Sequence, residues 1–253
     1  MNDVSRKRRL WIFDFDGTIS SIVPDRHCAR LLPEWRELLD ELCIASGRFV
    51  AVLSSREIED LSRRVQLPGV ILGGASGLVW RLPGGHTICP GNTAKTRREK
   101  SRAVLAPLLA RLCSFPGVDV EDKGWSVAVH YRGVLPEASA MLEPLLEELE
   151  HTPGIRVFRG PYVAEAQLLP QVNKSFGVRR LCRFLGVDPS EAQLLYAGDD
   201  ENDAVAIRWV LRKGGIAFCV GKSMDISGAR FVETPAELAR AVGELAAAVP
   251  GSN

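Results

Sequence analysis

No stretch of the chain is apolar for long enough to cross a bilayer, and no secretory signal precedes its first apolar run. Surplus charge is missing as well. With 32 Lys and Arg against 31 Asp and Glu the net charge is +1, so no broad positive field is available to a polyanion such as a nucleic acid. The run Arg-Lys-Arg-Arg at 6–9 is short, abuts the first strand and reads as a solvated lead-in. There is no CxxC pair and no Cys/His cluster. The six cysteines (Cys28, Cys43, Cys89, Cys113, Cys182, Cys219) are scattered, which suggests reduced, mostly buried thiols. Repeats and low-complexity segments are also lacking. The expectation is a cytoplasmic protein with no membrane or nucleic-acid partner, monomeric or weakly oligomeric.

What is present begins at residues 10–18, Leu-Trp-Ile-Phe-Asp-Phe-Asp-Gly-Thr. Alternate residues of a strand share a face, so Asp14 and Asp16 leave its end on the same side. Gly17 then turns the chain, being indifferent to the sign of φ. Two carboxylates this close repel unless a cation or a shared proton relieves them. The pair suits a Mg²⁺ site with a carboxylate nucleophile. It equally suits a strand that ends in a polar turn, and taken alone it leaves both open.

After this comes an irregular piece with Pro24 and Pro33. Helical spacing of Trp35, Leu38, Leu39, Leu42 and Cys43 follows, then a continuous apolar strand over 49–53 ending in Ser54-Ser55-Arg56. Ile58, Leu61 and Val65 mark a second helix, before a strand over 70–72. This alternation predicts an α/β fold with a doubly wound, right-handed parallel sheet. The rhythm then changes. A hairpin surrounds Pro83-Gly84-Gly85, and a helix of about four turns presents Val104, Leu105, Leu108, Leu109 and Leu112. Two strands flank Lys123-Gly124, a helix over 136–150 carries Met141, Leu142, Leu145, Leu146 and Leu149, and strands over 155–158 and 163–168 close the block. The order predicts a small α+β domain inserted at about 98–169, with residues 1–97 and 170–253 forming the core. Alternation resumes with a helix from Ser175, strands over 194–197 and 216–220, and a terminal helix over 238–249.

Four polar clusters lie at, or close to, the ends of these core elements: Asp14/Asp16, Ser54, Lys174 and Asp199/Asp203. In open α/β sheets the ligand crevice lies outside the carboxyl ends of the strands, where the four can converge. A phosphate ester uses all of them. Asp14 attacks phosphorus; Asp16 protonates the leaving alkoxide and later activates water. Asp14, the backbone carbonyl of Asp16, and Asp199 offer oxygen ligands to Mg²⁺. Ser54 and Lys174 neutralise and orient the phosphoryl group. Singly, each has a plain alternative: Ser54 as a helix cap, Lys174 as a solvated lysine, Asp199-Asp200 as an acidic turn.

Taken together, Asp14-Phe15-Asp16-Gly17-Thr18, Ser54, Lys174 and Gly198-Asp199-Asp200-Glu201-Asn202-Asp203 resemble the haloacid dehalogenase superfamily of phosphohydrolases. The insertion resembles that superfamily's α/β cap. Within the superfamily the chain is most similar to the trehalose-6-phosphate phosphatase family. Leu53-Ser54-Ser55-Arg56 resembles its serine-glycine-arginine stretch, Glu121 to Arg132 its cap signature, and Val163-Ala164-Glu165 its later cap glutamate. The resemblance implies a Rossmann-like core with a cap that closes over it, Mg²⁺ as cofactor and a sugar phosphate as substrate, turned over through an aspartyl-phosphate. It further implies Glu121, Lys123 and Glu165 on the sugar hydroxyls, Arg56 among the substrate-binding residues, and Asp200, Asn202 and Asp203 as a supporting acidic motif. Period-two spacing independently places Glu121 and Lys123 on one face, where a cross-strand ion pair is the alternative.

The chain departs from the family pattern in places. Gly74-Ala75-Ser76-Gly77-Leu78-Val79 lacks the family's histidine and glutamate, Asn202 and Ala204 replace a threonine and a glutamate, and Ser175-Phe176 follows the lysine where a glycine is usual. The first change bears on which sugar is bound. A sucrose-phosphate-, glucosylglycerol-phosphate- or mannosyl-phosphoglycerate-like substrate, and a non-catalytic sugar-phosphate sensor, are the alternatives to trehalose 6-phosphate.

Overall fold

The computed structural model describes residues 8–23, 25–45 and 47–248; Arg6 and Lys7 of the basic run, Pro24 and Val249 lie outside the described residues. The chain forms two compact units, one of Met1–Ile88 with Asn173–Asn253, the other of Cys89–Val172.

The first unit is built on an eight-stranded sheet, ordered β12-β11-β10-β1-β2-β3-β4-β5. Its strands are β1 (Arg9–Phe13), β2 (Arg48–Leu53), β3 (Ile71–Gly74), β4 (Val79–Arg81), β5 (Thr87–Ile88), β10 (Gln193–Gly198), β11 (Ile216–Val220) and β12 (Arg230–Val232). From β12 to β3 the pairing is parallel; β4 and β5 add an antiparallel edge hairpin. Alternation along β1 sends Trp11 and Phe13 to one face and Leu10 and Ile12 to the other. The first face packs beneath α1 (Pro33–Ile44), α2 (Ile58–Val65) and α7 (Pro235–Ala247), the second beneath α5 (Lys174–Leu185) and α6 (Glu201–Arg212). With helices on both faces, the central strands read as continuous apolar runs.

The second unit is a four-stranded antiparallel sheet ordered β6-β7-β9-β8, from β6 (Asp119–Asp122), β7 (Ser126–His130), β8 (Arg156–Gly160) and β9 (Val163–Gln167). Helices α3 (Asn92–Cys113) and α4 (Ser139–Glu150) cover one face through Leu105, Leu108, Leu112, Leu142, Leu146 and Leu149. Among the described residues no helix is long and apolar enough to cross a membrane.

Several expectations are corrected. The first break between units falls at 88/89 rather than 97/98, because α3 is 22 residues long and begins at Asn92. Residues 92–101 hold no large apolar side chain, so no periodic stripe marks those turns in the sequence. The second break falls at 172/173, directly before α5. Val104 and Met141, read as core-facing, are 55% and 71% exposed, since the buried stripe of each helix is narrower than its run of apolar residues. The short edge strand β12 gave no alternating signal. Of the six cysteines only Cys182 and Cys219 are buried; Cys43 is half-buried, and Cys28, Cys89 and Cys113, two of them at the ends of short or long helices, are exposed. Arg8 is more than a solvated lead-in: its guanidinium donates to the carbonyls of Leu185 and Gly186, which the end of α5 leaves without helical partners.

Candidate active site

The carboxyl edge of the central strands gathers the acidic residues. Asp14 follows β1, and its backbone N–H donates to the Ala197 carbonyl at 2.9 Å, tying it to the end of β10. Gly17 turns the chain with φ +79°, and a Cβ there would lie 2.2 Å from Asp199 Oδ2. Glycine is therefore demanded both by conformation and by the approach of that carboxylate. The Thr18 hydroxyl donates to Asp199 Oδ1 at 3.2 Å.

Lys174 is the first residue of α5, an end of the helix dipole that disfavours a cation. Its environment compensates. Lys174 Nζ lies 2.7 Å from Asp14 Oδ1 and 2.7 Å from Asp203 Oδ1, and all three side chains are buried. The Tyr196 hydroxyl donates to the same Asp203 oxygen at 2.6 Å. Asp200 caps α6 by accepting from the N–H groups of Asn202 and Asp203, and the Asn202 amide donates to its other oxygen at 3.2 Å. Asp200 and Asn202 thus brace the turn, whereas Asp203 joins the reactive cluster.

The oxygens of Asp14, Asp199 and Asp203 lie within 4.8 Å of one another. Burial first, then neighbouring carboxylates, raise Asp14 and Asp203 well above the ordinary carboxylate range, Lys174 offsetting part of this. The same causes lift Asp199 to about 7. For Lys174, burial alone would lower the pKa, but Asp14 and Asp203 outweigh it and hold the ammonium well above its ordinary value. Burial opposes ionisation of Asp200 also; Lys174 and the bonds at the start of α6 reverse the sign and lower its pKa. One ammonium among so many carboxylates leaves a deficit of positive charge. Three hard oxygen donors at this spacing fit a divalent cation of the Mg²⁺ type.

Asp16 stands apart from this cluster. Its carboxylate, 42% exposed, is bound on both oxygens by the fork of Arg56, at 2.7 Å (Nε) and 2.6 Å (Nη2). Ser54 is buried, and its hydroxyl oxygen accepts from the Arg56 N–H at 3.1 Å. The N-cap of α2 is Glu57, so Ser54 is not a helix cap. The bend over 74–77 is laced to this loop: the Ala75 N–H donates to Arg56 O at 2.8 Å and the Ser76 N–H to Ser54 O at 2.9 Å. Ala75 and Ser76 hold φ of 48° and 55°, left-handed values that cost non-glycine residues energy and persist where surroundings impose them.

In the second unit, the sheet face opposite the helices is polar. Lys123 Nζ lies 2.9 Å from Glu165 Oε2 and 4.0 Å from Glu121 Oε2. Ser126 and Gln167 donate to Glu165 Oε1 at 2.8 and 3.2 Å, and His130 Nε2 lies 3.2 Å from Glu121. The register places Glu121, Ala128 and Glu165 in one row across three strands, so residues 44 apart in the chain become neighbours.

The structure thus brings Asp14, Lys174 and Asp199 together, Asp16 with Arg56 beside Ser54, and Glu121 with Lys123 and Glu165. Sequence reasoning missed the contacts of Tyr196, Thr18, Asp60, Ser126 and His130. Tyr196 had a usable signal: a lone hydroxyl in the apolar strand Leu-Leu-Tyr-Ala needs a buried partner. His130 alternates with the apolar residues of β7, which already placed it on the polar face.

A family model described as trehalose-phosphatase matches residues 12–232. A trehalose-phosphate phosphatase of Mycobacterium tuberculosis is 33% identical over 242 residues, covering 92% of this chain and 60% of that protein. One from Mycobacterium leprae is 31% identical over 234 residues, covering 88% and 53%. The chain therefore spans between about half and three-fifths of the length of the curated relatives it matches. Among solved structures, the C-terminal domain of a C. albicans trehalose-6-phosphate phosphatase superposes with a TM-score of 0.76 at 22% identity, covering 95% of this chain and 92% of that one. An Aspergillus fumigatus trehalose-6-phosphate phosphatase gives 0.66 at 24% identity, covering 96% and 94%. A haloacid dehalogenase-like hydrolase from Bacteroides thetaiotaomicron gives 0.67 at 16%, covering 94% and 100%. At these identities the superpositions establish the fold. By the family match over 12–232, the chain belongs to the trehalose-phosphatase family.

Proposed function

We propose that the protein hydrolyses a sugar phosphate monoester, with trehalose 6-phosphate as the foremost substrate, through a phosphoryl group carried on Asp14. The observation that carries this reading is the Asp14 carboxylate, held at 2.7 Å by the Lys174 ammonium and crowded by Asp199 and Asp203 at a strand end. An Asp14 oxygen attacks phosphorus as the bond to the sugar oxygen breaks, and Asp16 gives its proton to the departing alkoxide. Asp16, now a carboxylate, takes a proton from water, whose oxygen attacks phosphorus and releases Asp14 with inorganic phosphate. Ser54 and Lys174 orient and neutralise the group in flight. Asp14, Asp199 and Asp203, whose oxygens lie within 4.8 Å of one another, would hold Mg²⁺ together with the Asp16 carbonyl. When bound, the ion offsets repulsion between the anionic nucleophile and the anionic ester. Glu121, Lys123 and Glu165 take the sugar hydroxyls.

Phosphate release from a panel of trehalose, sucrose, glucosylglycerol and mannosyl-glycerate phosphates, with and without Mg²⁺, tests this. The expected pattern is Mg²⁺-dependent release with the highest kcat/KM on trehalose 6-phosphate; no release from any ester overturns it. Within the panel, Glu165→Gln is expected to raise KM for the preferred sugar ester by about tenfold, the worth of one hydrogen bond from a neutral hydroxyl to a charged group. It should leave p-nitrophenyl phosphate unaffected, since that ester has no sugar hydroxyls to read. Equal effects on both esters would remove Glu165 from sugar recognition.

The raised Asp199 predicts a pH signature without turnover. Between its ordinary value of 3.8 and about 7, the folded state keeps a proton that the unfolded state has shed. Stability of the metal-free protein therefore falls as pH rises through that window. A cation that replaces the proton counteracts this, so added Mg²⁺ should raise Tm more at pH 8 than at pH 6. Scanning calorimetry in chelator and in Mg²⁺ checks it, and an equal gain at both pH values would contradict it.

A further inference from the structure

Arg56 came from the sequence as a substrate-binding residue, yet its side chain is already committed. Both Asp16 oxygens receive its fork, its remaining Nη1 donates to Asp60 Oδ2 at 2.8 Å, and Nη2 also reaches Arg26 O at 3.0 Å. Asp60 is held in turn. Arg64 bonds both its oxygens at 2.9 Å and also donates to the carbonyls of Ala29 and His27, while Arg63 reaches it at 3.4 Å. Arg56 and Arg64 are 11% and 7% exposed, so this lattice is fixed by packing and is not a solvated surface pair. Burial opposes the charge on Arg56, but Asp16 and Asp60 outweigh it and raise its pKa further. Burial likewise works against Asp60, and the two arginines bring it down to about 2.

We infer that Arg56 is a positioning residue for Asp16, locked by the Asp60–Arg64 pair, and not a substrate ligand. The inference rests on the phosphatase reading above. Planar, bidentate pairing fixes a carboxylate in angle as well as in distance, which a lysine cannot do. A guanidinium does not give up a proton near neutral pH, so Arg56 cannot itself act as acid or base. What it supplies is the orientation of the group that does. Chain geometry supports the assignment: the Ser54–Arg56 loop is bonded to the strained 74–77 bend, and Arg56 spans from that loop to the segment around residue 26.

Leaving-group dependence separates this role from a structural one. In kcat/KM, which reports transfer to Asp14, a sugar ester needs an acid for its poor leaving group, whereas p-nitrophenyl phosphate needs none. Arg56→Ala is expected to lower kcat/KM on the sugar ester by about 10²-fold, the usual scale of a general acid, and on p-nitrophenyl phosphate by less than about threefold. The kcat for p-nitrophenyl phosphate should still fall, because Asp16 must activate water to clear the phosphorylated Asp14. Millimolar guanidinium should restore part of the loss, while Arg56→Lys should not restore the fork and should show the same split. Asp60→Asn should show the same pattern more weakly. If Arg56→Ala does not fold, Arg56→Lys decides. Equal losses in kcat/KM on both esters, or a rise in KM with kcat kept, would overturn the assignment. Wild-type protein that releases phosphate from no ester would instead overturn the phosphatase reading, so the two failures are distinguishable.

Discussion

Asp14→Asn is expected to abolish phosphate release from sugar and aryl esters alike, by about 10⁴-fold or more, as removal of a covalent nucleophile does elsewhere. The amide matches the carboxylate in shape, and its oxygen can still accept from Lys174 Nζ, 2.7 Å from Asp14 Oδ1 in the wild type. What it lacks is the negative charge that makes the oxygen a nucleophile toward phosphorus. Stability should not fall with activity. Asp14 is buried and its pKa is raised in the fold, so its ionised form is disfavoured by folding, and a neutral group removes that cost. Inactive protein with an undiminished Tm, and no acid-stable label after mixing with ³²P-labelled ester, is the expected result. Retained turnover would mean that another group attacks phosphorus.

Lys174→Met is expected to cost both activity and stability. The ammonium bridges Asp14 and Asp203 at 2.7 Å each, inside a buried cluster that also contains Asp199. Removing one partner of a buried ion pair typically costs about 3–5 kcal/mol, because uncompensated charge is left behind. The sign of the pH dependence follows. Lys174 has a folded pKa above its ordinary value of 10.5, so its stabilisation is fully present below that value and is lost only as pH rises through the folded pKa. In the variant the orphaned carboxylates take up protons as pH falls. The gap in unfolding free energy between variant and wild type should therefore narrow from pH 8 to pH 5. Lys174→Met combined with Asp203→Asn should recover part of the lost stability, since the two sites share one interaction. Additive losses in the double variant would show that the bridge carries no coupling energy.

Much of the molecule could be read one element at a time. The apolar runs of β1, β2 and β10 marked a parallel sheet covered on both faces. The hairpin and paired strands after residue 78 marked the change to antiparallel structure. Asp14, Asp16, Ser54, Lys174 and Asp199 could be placed near strand or helix ends, because an abrupt switch from apolar to polar residues is a local event. The polar start of α3 and the three-residue β12 could not, since neither carries enough periodicity to stand out. Nor could Val104 and Met141 be separated from their buried neighbours, because apolarity alone does not say which part of a stripe is covered.

The amino-acid sequence by itself determined the order of the elements, the four polar clusters and the family, all of which rest on neighbours in the chain. Tertiary structure alone decided the pairing of charges. Asp14 and Lys174 are 160 residues apart, and Asp16 and Arg56 are 40 apart. Whether an aspartate meets an ammonium, a guanidinium or another carboxylate depends on strand register and side-chain rotamer, on which chain periodicity is silent. That is why Asp203 moved from a supporting turn into the reactive cluster, and why Asp16, the twin of Asp14 in the sequence, is held by a different cation. Two like carboxylates two residues apart were given different chemistry by where β2, α5 and β10 deliver their partners.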